Sequence, residues 1–201
     1  METLRLYHTG FERIPAPDLK IGRKNADFGQ GFYLSDDASF SVRWARTRKG
    51  LDTWHNAYEL TLDGLRVLRL DRDEAWFDYI YNNRNGGADL YPDHDVIIGP
   101  IANDTIYDTL GVTTGGLLPR AYALRLLLIG PKYRQIVLKT EAAAAKLKFL
   151  SARVISETEI EGYRQTVKTE EAAYGELFGV EAEKILAEME QAEKNSPERG
   201  C

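Results

Sequence analysis

The sequence has a single cysteine, Cys201. That excludes an intramolecular disulfide and any cysteine-based metal cluster, and it suits a reducing compartment. Basic residues are not in excess: 26 Lys and Arg against 31 Asp and Glu leave a net charge of −5. A chain-wide basic footprint for nucleic acid is therefore absent, and only a local patch remains open. No apolar run reaches membrane-spanning length, so no membrane partner is expected. The opening Met-Glu-Thr-Leu-Arg-Leu is neither basic nor long and apolar, which predicts no secretory signal and a cytoplasmic protein. Histidine is scarce too. His94 and Asp95 with His8 have no metal-ligand spacing, and no metal is predicted. Internal repeats and low-complexity segments are missing.

What is present is ordinary globular material, 43% hydrophobic and 28% charged over 201 residues. This is enough for one sizeable core and an appendage. Leu4, Leu6 and His8 alternate with Arg5 and Tyr7, a first strand ending at His8-Thr9-Gly10. Residues 11–30 read as a loop, followed by a short strand over 32–34. Ser35, Asp36 and Asp37 offer a cap for a helix carrying Phe40 and Trp44 on one face. Arg43, Arg46, Arg48 and Lys49 fall in its last turns, and Gly50 stops it.

Runs at 58–62 and 67–70 flank Asp63-Gly64, a hairpin signal. Asp71 with Glu74 resembles a capping box for a helix through Trp76, Phe77 and Ile80. Residues 96–98 form a buried strand, and Asn103 or Asp104 caps a short helix through Ile106, Tyr107 and Leu110. Pro119 opens a helix to Leu128. Residues 135–138 are a strand, Thr140 caps an alanine-rich helix, and 149–155 is a last strand. From Glu157 the composition turns to Glu, Lys, Ala and Gln, and Leu177, Val180, Ile185, Leu186 and Met189 mark an amphipathic helix. Without regular βαβ alternation the pattern predicts an α+β fold. The expected organisation is a domain over 1–155 and a helical extension over 156–201.

The stretch Asp27-Phe-Gly-Gln-Gly-Phe-Tyr-Leu-Ser35 draws most interest. Gly29 and Gly31 permit close backbone approach, and Tyr33 follows on a strand. Taken singly, Gly-Gln-Gly is a turn, His8 a structural or surface histidine, Tyr33 a core aromatic and Gln135 an edge polar residue. The polar run Asn103-Asp104-Thr105-Ile106-Tyr107 is either a capped helix or a cleft lining that holds an acceptor. The Arg43–Lys49 cluster either complements a helix C-terminus or meets the phosphates of a nucleotide or a nucleic acid.

Taken together, a strand-end histidine, Gly-x-Gly-aromatic-Tyr and a polar residue opening a late strand resemble the ADP-ribosyltransferase superfamily. The branch is the His–Tyr–acid one of diphtheria-like toxins and poly(ADP-ribose) polymerases. Leu-Tyr-His-Thr-Gly (6–10), Gly-Arg-Lys-Asn-Ala-Asp-Phe-Gly-Gln-Gly-Phe-Tyr (22–33), residues 99–110 and Gln-Ile-Val-Leu-Lys-Thr (135–140) further resemble an uncharacterised bacterial family placed in that superfamily, often in toxin–antitoxin-like loci.

The resemblance implies a split β-sheet with flanking helices and NAD as co-substrate in the cleft. His8 would bond the nicotinamide ribose and Thr9 or Gly10 the carboxamide. Tyr33, beside Gly31, would stack on the nicotinamide, with Phe40 or Trp44 closing the sandwich. Arg23, on the loop with Asn25, would meet the pyrophosphate. At the third position stands Gln135, where that branch usually has glutamate. An amide bonds a 2′-hydroxyl but is neither base nor anion. Transfer of a single ADP-ribose to a protein or nucleic acid, NAD hydrolysis, and non-catalytic NAD or ADP-ribose binding are all compatible. An intracellular toxin or defence effector, paired with a small antitoxin-like protein, is the implied setting.

Overall fold

A computed structural model describes residues 2–102 and 118–195. The chain divides into two compact units, one from Met1–Ala102 with Lys132–Val167, the other from Asn103–Pro131 with Lys168–Cys201.

The first unit contains two sheets. Strands β1 (Thr3–Gly10), β3 (Thr53–Thr61) and β7 (Leu147–Ile155) form an antiparallel sheet in the order β1-β3-β7. Strands β2 (Phe32–Leu34), β4 (Val67–Arg69), β5 (Val96–Pro100) and β6 (Arg134–Leu138) form a second, ordered β2-β6-β5-β4. Its pairs are antiparallel except β4 with β5. This is the mixed α+β architecture that the irregular order of elements predicts.

Strand alternation builds the core. Leu6, Tyr58 and Leu60 from the first sheet meet Phe32, Leu34, Val96, Ile98, Ile136 and Leu138 from the second in one buried cluster. The alternate residues of the second sheet, Tyr33, Ile97, Gly99, Gln135 and Val137, share its opposite face.

Helices α1 (Ala38–Ser41) and α2 (Glu74–Arg84) follow β2 and β4. Asp37 caps α1 through the amides of Ser39 and Phe40. The Trp76 indole of α2 donates to the Pro100 carbonyl at 2.9 Å, fixing the helix to the end of β5.

Several expectations are corrected. The runs around Asp63-Gly64 do not form a hairpin. The turn exists, with Leu65 N–H donating to the Leu62 carbonyl, but β3 already has β1 and β7 on its two edges. The chain is therefore sent to the other sheet, where β4 pairs with β5. The arginine-rich segment is not the end of a long helix: α1 passes into one 3-10 turn, Val42–Trp44, and the chain then leaves helical geometry. Asp73, not Asp71, caps α2 through the Trp76 amide, while Asp71 pairs with Lys132. Thr140 caps a single turn, α4 (Glu141–Ala144), rather than a longer helix, and β7 begins two residues before the expected strand.

In the second unit, α3 (Arg120–Leu127) has Pro119 as its cap. The long helix α5 (Glu157–Asn195) begins in the first unit and continues here. Arg125 of α3 bridges Glu181 and Glu188 of α5. Among the described residues no helix is long and apolar enough to cross a membrane. The expected helix through Asn103, Asp104, Ile106 and Tyr107 lies outside the described residues.

Candidate functional site

The site forms where the two sheets part. Tyr7 and Ser35 exchange both backbone hydrogen bonds, at 2.8 and 2.9 Å, and so join β1 to the end of β2. Past that bridge β1 continues along β3, Thr9 opposite His55 and Gly10 opposite Trp54, while β2 turns onto β6. The strands diverge and leave the Tyr33 carbonyl without a ladder partner from β1. His8 supplies one: its Nδ1 lies 2.8 Å from the Tyr33 carbonyl oxygen. A carbonyl only accepts, so Nδ1 carries the hydrogen and Nε2 keeps its lone pair. Burial, with the ring 4.7 Å from Phe32, lowers the His8 pKa against the opposing effect of that hydrogen bond. The ring is neutral at pH 7 and offers one acceptor at the strand end.

Tyr33 is fixed by its own loop. Its hydroxyl donates to the Gly29 carbonyl at 2.7 Å and accepts from the Phe28 amide at 3.0 Å. Burial, reinforced by the nearby Asp27 charge, pushes the phenol far above its ordinary value, so it remains a neutral anchor and not a base. Gly31 is required by contact: a Cβ there would lie 2.5 Å from the Leu138 carbonyl oxygen and 2.7 Å from Val137 Cγ1. Gly22 fits as tightly, since its Cβ would meet the Gly31 oxygen at 2.4 Å. The two glycines let the loop backbone, the residue before β2 and strand β6 stack with no side chain between them.

Sequence reasoning missed the residues that hold this loop. Asp27 is buried and pairs with Arg84 at 2.7 Å. Asn83 donates to the Asp27 carbonyl, and Lys139 donates to the Phe28 carbonyl at 2.6 Å while pairing with Asp89 at 3.1 Å. Tyr79 reaches both the Phe28 carbonyl and Asp89. The partners lie 51 to 111 positions away along the chain. The only local sign was Asp27 itself, an acid inside an otherwise apolar and glycine-rich run.

Gln135 stands on the same sheet face as Tyr33. Val137 is opposite Tyr33 in the register, which places Gln135 at a diagonal neighbour position, about 7 Å away. The side chain is buried, yet its Nε2 has no hydrogen-bond partner among the described residues, and neither has the buried Thr9 hydroxyl. Buried polar atoms are almost always satisfied. Thr9 lies near the end of β1, next to His8 in the chain, and Gln135 near the start of β6.

The other predicted residues divide. Phe40 is only 1% exposed and stacks on Tyr133 at 4.2 Å, so it is a floor and not an open face. Trp44, 39% exposed and edge-on to Phe40, is the ring left open. Arg23 lies on an exposed loop close enough to act electrostatically on the Tyr33 phenol, and Asn25 is exposed beside it. Gly10 packs against His8, where a Cβ would be 3.2 Å from Nε2. The expected cleft residues Asn103, Asp104 and Tyr107 lie outside the described residues.

His8 thus meets the Tyr33 backbone where the two sheets part, with Thr9 next to it on β1 and Gln135 one diagonal from Tyr33 on β6. No curated protein matches the chain. A family model described as "Protein of unknown function (DUF3990)" matches residues 4–149, and the chain belongs to that family.

Proposed function

We propose that this chain is an NAD-dependent mono-ADP-ribosyltransferase of the His–Tyr–acid branch, acting as a bacterial intracellular toxin or defence effector. The observation that carries the reading is the His8–Tyr33 contact at the parting of the sheets, which leaves a neutral His8 with Nε2 as an open acceptor, together with the buried and unpartnered Gln135 amide on β6. A ribose with adjacent hydroxyls both donates and accepts, which matches an imidazole acceptor and an amide donor. Thr9 adds a buried hydroxyl for a carboxamide. The half-buried Tyr33 ring, tied down at its hydroxyl, gives a planar cation a fixed face.

Cleavage of the nicotinamide–ribose bond sends the bonding pair to nicotinamide and leaves oxocarbenium-like charge on the sugar. Catalysis then depends on holding the sugar and ring in place more than on a strong base. The residues of this chain suit that demand: His8, Gln135 and Tyr33 orient, and none of them is an ionised base at neutral pH. The same feature supports a second reading, NAD hydrolysis, in which water captures the cation. A non-catalytic NAD or ADP-ribose-binding module is the third. The macromolecular acceptor and a small antitoxin-like partner belong to this proposal, as does a cytoplasmic setting.

Labelled NAD separates the readings: labelled macromolecule means transfer, free ADP-ribose means hydrolysis, and binding without turnover means a module. Loss of turnover in both His8→Ala and Tyr33→Ala is expected. Full turnover in both variants would rule out the site.

A further inference from the structure

Residues 43–49 carry four cations in seven positions, in a chain whose net charge is −5. Six arginines described in the first unit face a carboxylate: Arg66, Arg69, Arg84, Arg134, Arg153 and Arg164 each have one within 4.0 Å. Arg46, Arg48 and Lys49 have none among the described residues, and all three are exposed. The Arg46 guanidinium uses one nitrogen on the carbonyls of Arg43 and Ala45, which orders the side chain without neutralising it.

The segment is firmly mounted. Thr53 at the start of β3 donates to the Arg46 carbonyl, Arg164 reaches the Thr47 hydroxyl, and Arg48 pairs with Leu51 around Gly50 (φ +78°). Arg48 and Lys49 therefore sit on a tight, fixed turn. Beside them Trp44 exposes its ring, and Trp44 packs edge-on against Phe40, which stacks on Tyr133, two residues before Gln135. A row of unneutralised cations next to an open indole is the arrangement that follows a nucleic-acid backbone while stacking a base. Protein hot spots centre instead on a buried apolar anchor, whereas here the exposed ring is flanked by cations.

We infer that this ribbon binds single-stranded nucleic acid and presents it to the parting of the sheets as the acceptor. This rests on the proposed function for the transfer step alone, since strand binding needs no NAD. In that step the ribose C1′–nicotinamide nitrogen bond breaks with its electron pair on nicotinamide. A nucleophilic oxygen or nitrogen of the strand supplies the pair for the new bond at C1′ and releases its proton to solvent.

The test uses the full chain and fluorescent 20-mers of single-stranded RNA and DNA, titrated over a salt series, with NAD hydrolysis measured in parallel. Arg48→Gln/Lys49→Gln and Arg46→Gln/Arg48→Gln/Lys49→Gln are compared with the wild type, with circular dichroism to verify folding. Expected is strand binding by the wild type, weakened roughly tenfold or more in the triple variant, with the log–log salt slope reduced by about 2. NAD hydrolysis should be unchanged in both variants. Preference between RNA and DNA decides the kind of strand. Wild-type binding no tighter than that of the triple variant, or label from NAD carried only by protein, would overturn the inference. Strand binding without any NAD turnover would instead sink the proposed function and leave the surface standing.

Discussion

Nδ1 of His8 lies 2.8 Å from the Tyr33 carbonyl oxygen, and this one hydrogen bond ties together strands that belong to different sheets. It also decides which ring nitrogen is left for chemistry. A substitution at His8 therefore acts on both the fold and the site.

The pH response of stability should report His8. Its pKa is lowered in the folded protein, chiefly by burial, and so is that of His55. Below the unfolded value of about 6.5 the unfolded chain binds more protons than the folded one, so stability falls as pH drops through that range and is fully regained above it. Urea melts from pH 8 to pH 5 should show this decline. His8→Gln should flatten it, by about 1.4 kcal/mol for each tenfold loss of proton affinity. The carboxylates with lowered pKa values act only below this range, so an unchanged slope in the variant would contradict the assignment.

Gln135→Leu separates stability from function. The Nε2 atom is buried without a partner, so an apolar side chain of similar size should leave the ligand-free protein as stable or about 1 kcal/mol more stable. NAD turnover should be lost in the same variant. Gln135→Glu should alter rate or product, and no change in either would place the third functional residue elsewhere. Thermal melting beside labelled-NAD turnover reads both effects.

Gly31→Ala should cost about 2–3 kcal/mol, since backbone and a core valine block the new methyl. Gly50→Ala is the control. No atom lies within 4 Å of its added methyl, but φ is +78°, so only backbone strain of about 1 kcal/mol is expected. Equal shifts in urea midpoint would mean that steric contact is not what fixes Gly31.

Breaking the Asp27–Arg84 pair should be expensive, because its side chains are only 8% and 16% exposed. Arg84→Ala leaves a buried carboxylate and should destabilise by about 3–5 kcal/mol. Asp27→Asn/Arg84→Met should recover much of that loss, and a double variant no better than the single one would refute the charge argument. In both, the Phe28–Gly29 turn loosens and NAD binding should weaken through Tyr33.

Much of the framework was legible from local signals. Alternation marked β1 and its terminal histidine, and Asp37 and Thr140 cap as their positions predict. The turn at Asp63-Gly64 was read correctly, yet its strands do not pair, because pairing depends on which sheet edges are already taken. The arginine-rich stretch looked helical from the spacing of Phe40 and Trp44. Of its actual anchors, Thr53 is near in sequence but Arg164 lies outside any local window. The candidate residues His8, Tyr33 and Gln135 were picked out by sequence pattern alone. The Gln135 orphan and the Asp27–Arg84 clasp were not, since both are facts of three-dimensional contact between distant segments.

The stacking of Gly22 on Gly31, and of Gly31 on the β6 backbone, has a mechanical meaning. Side chains can slide and repack, whereas main chain pressed against main chain has almost no give. The loop that carries Arg23 is therefore no separate flap. Displacing it means displacing Tyr33 and the strand that bears Gln135 as well, so that a ligand gripped by one of these residues stiffens the seat of the other two.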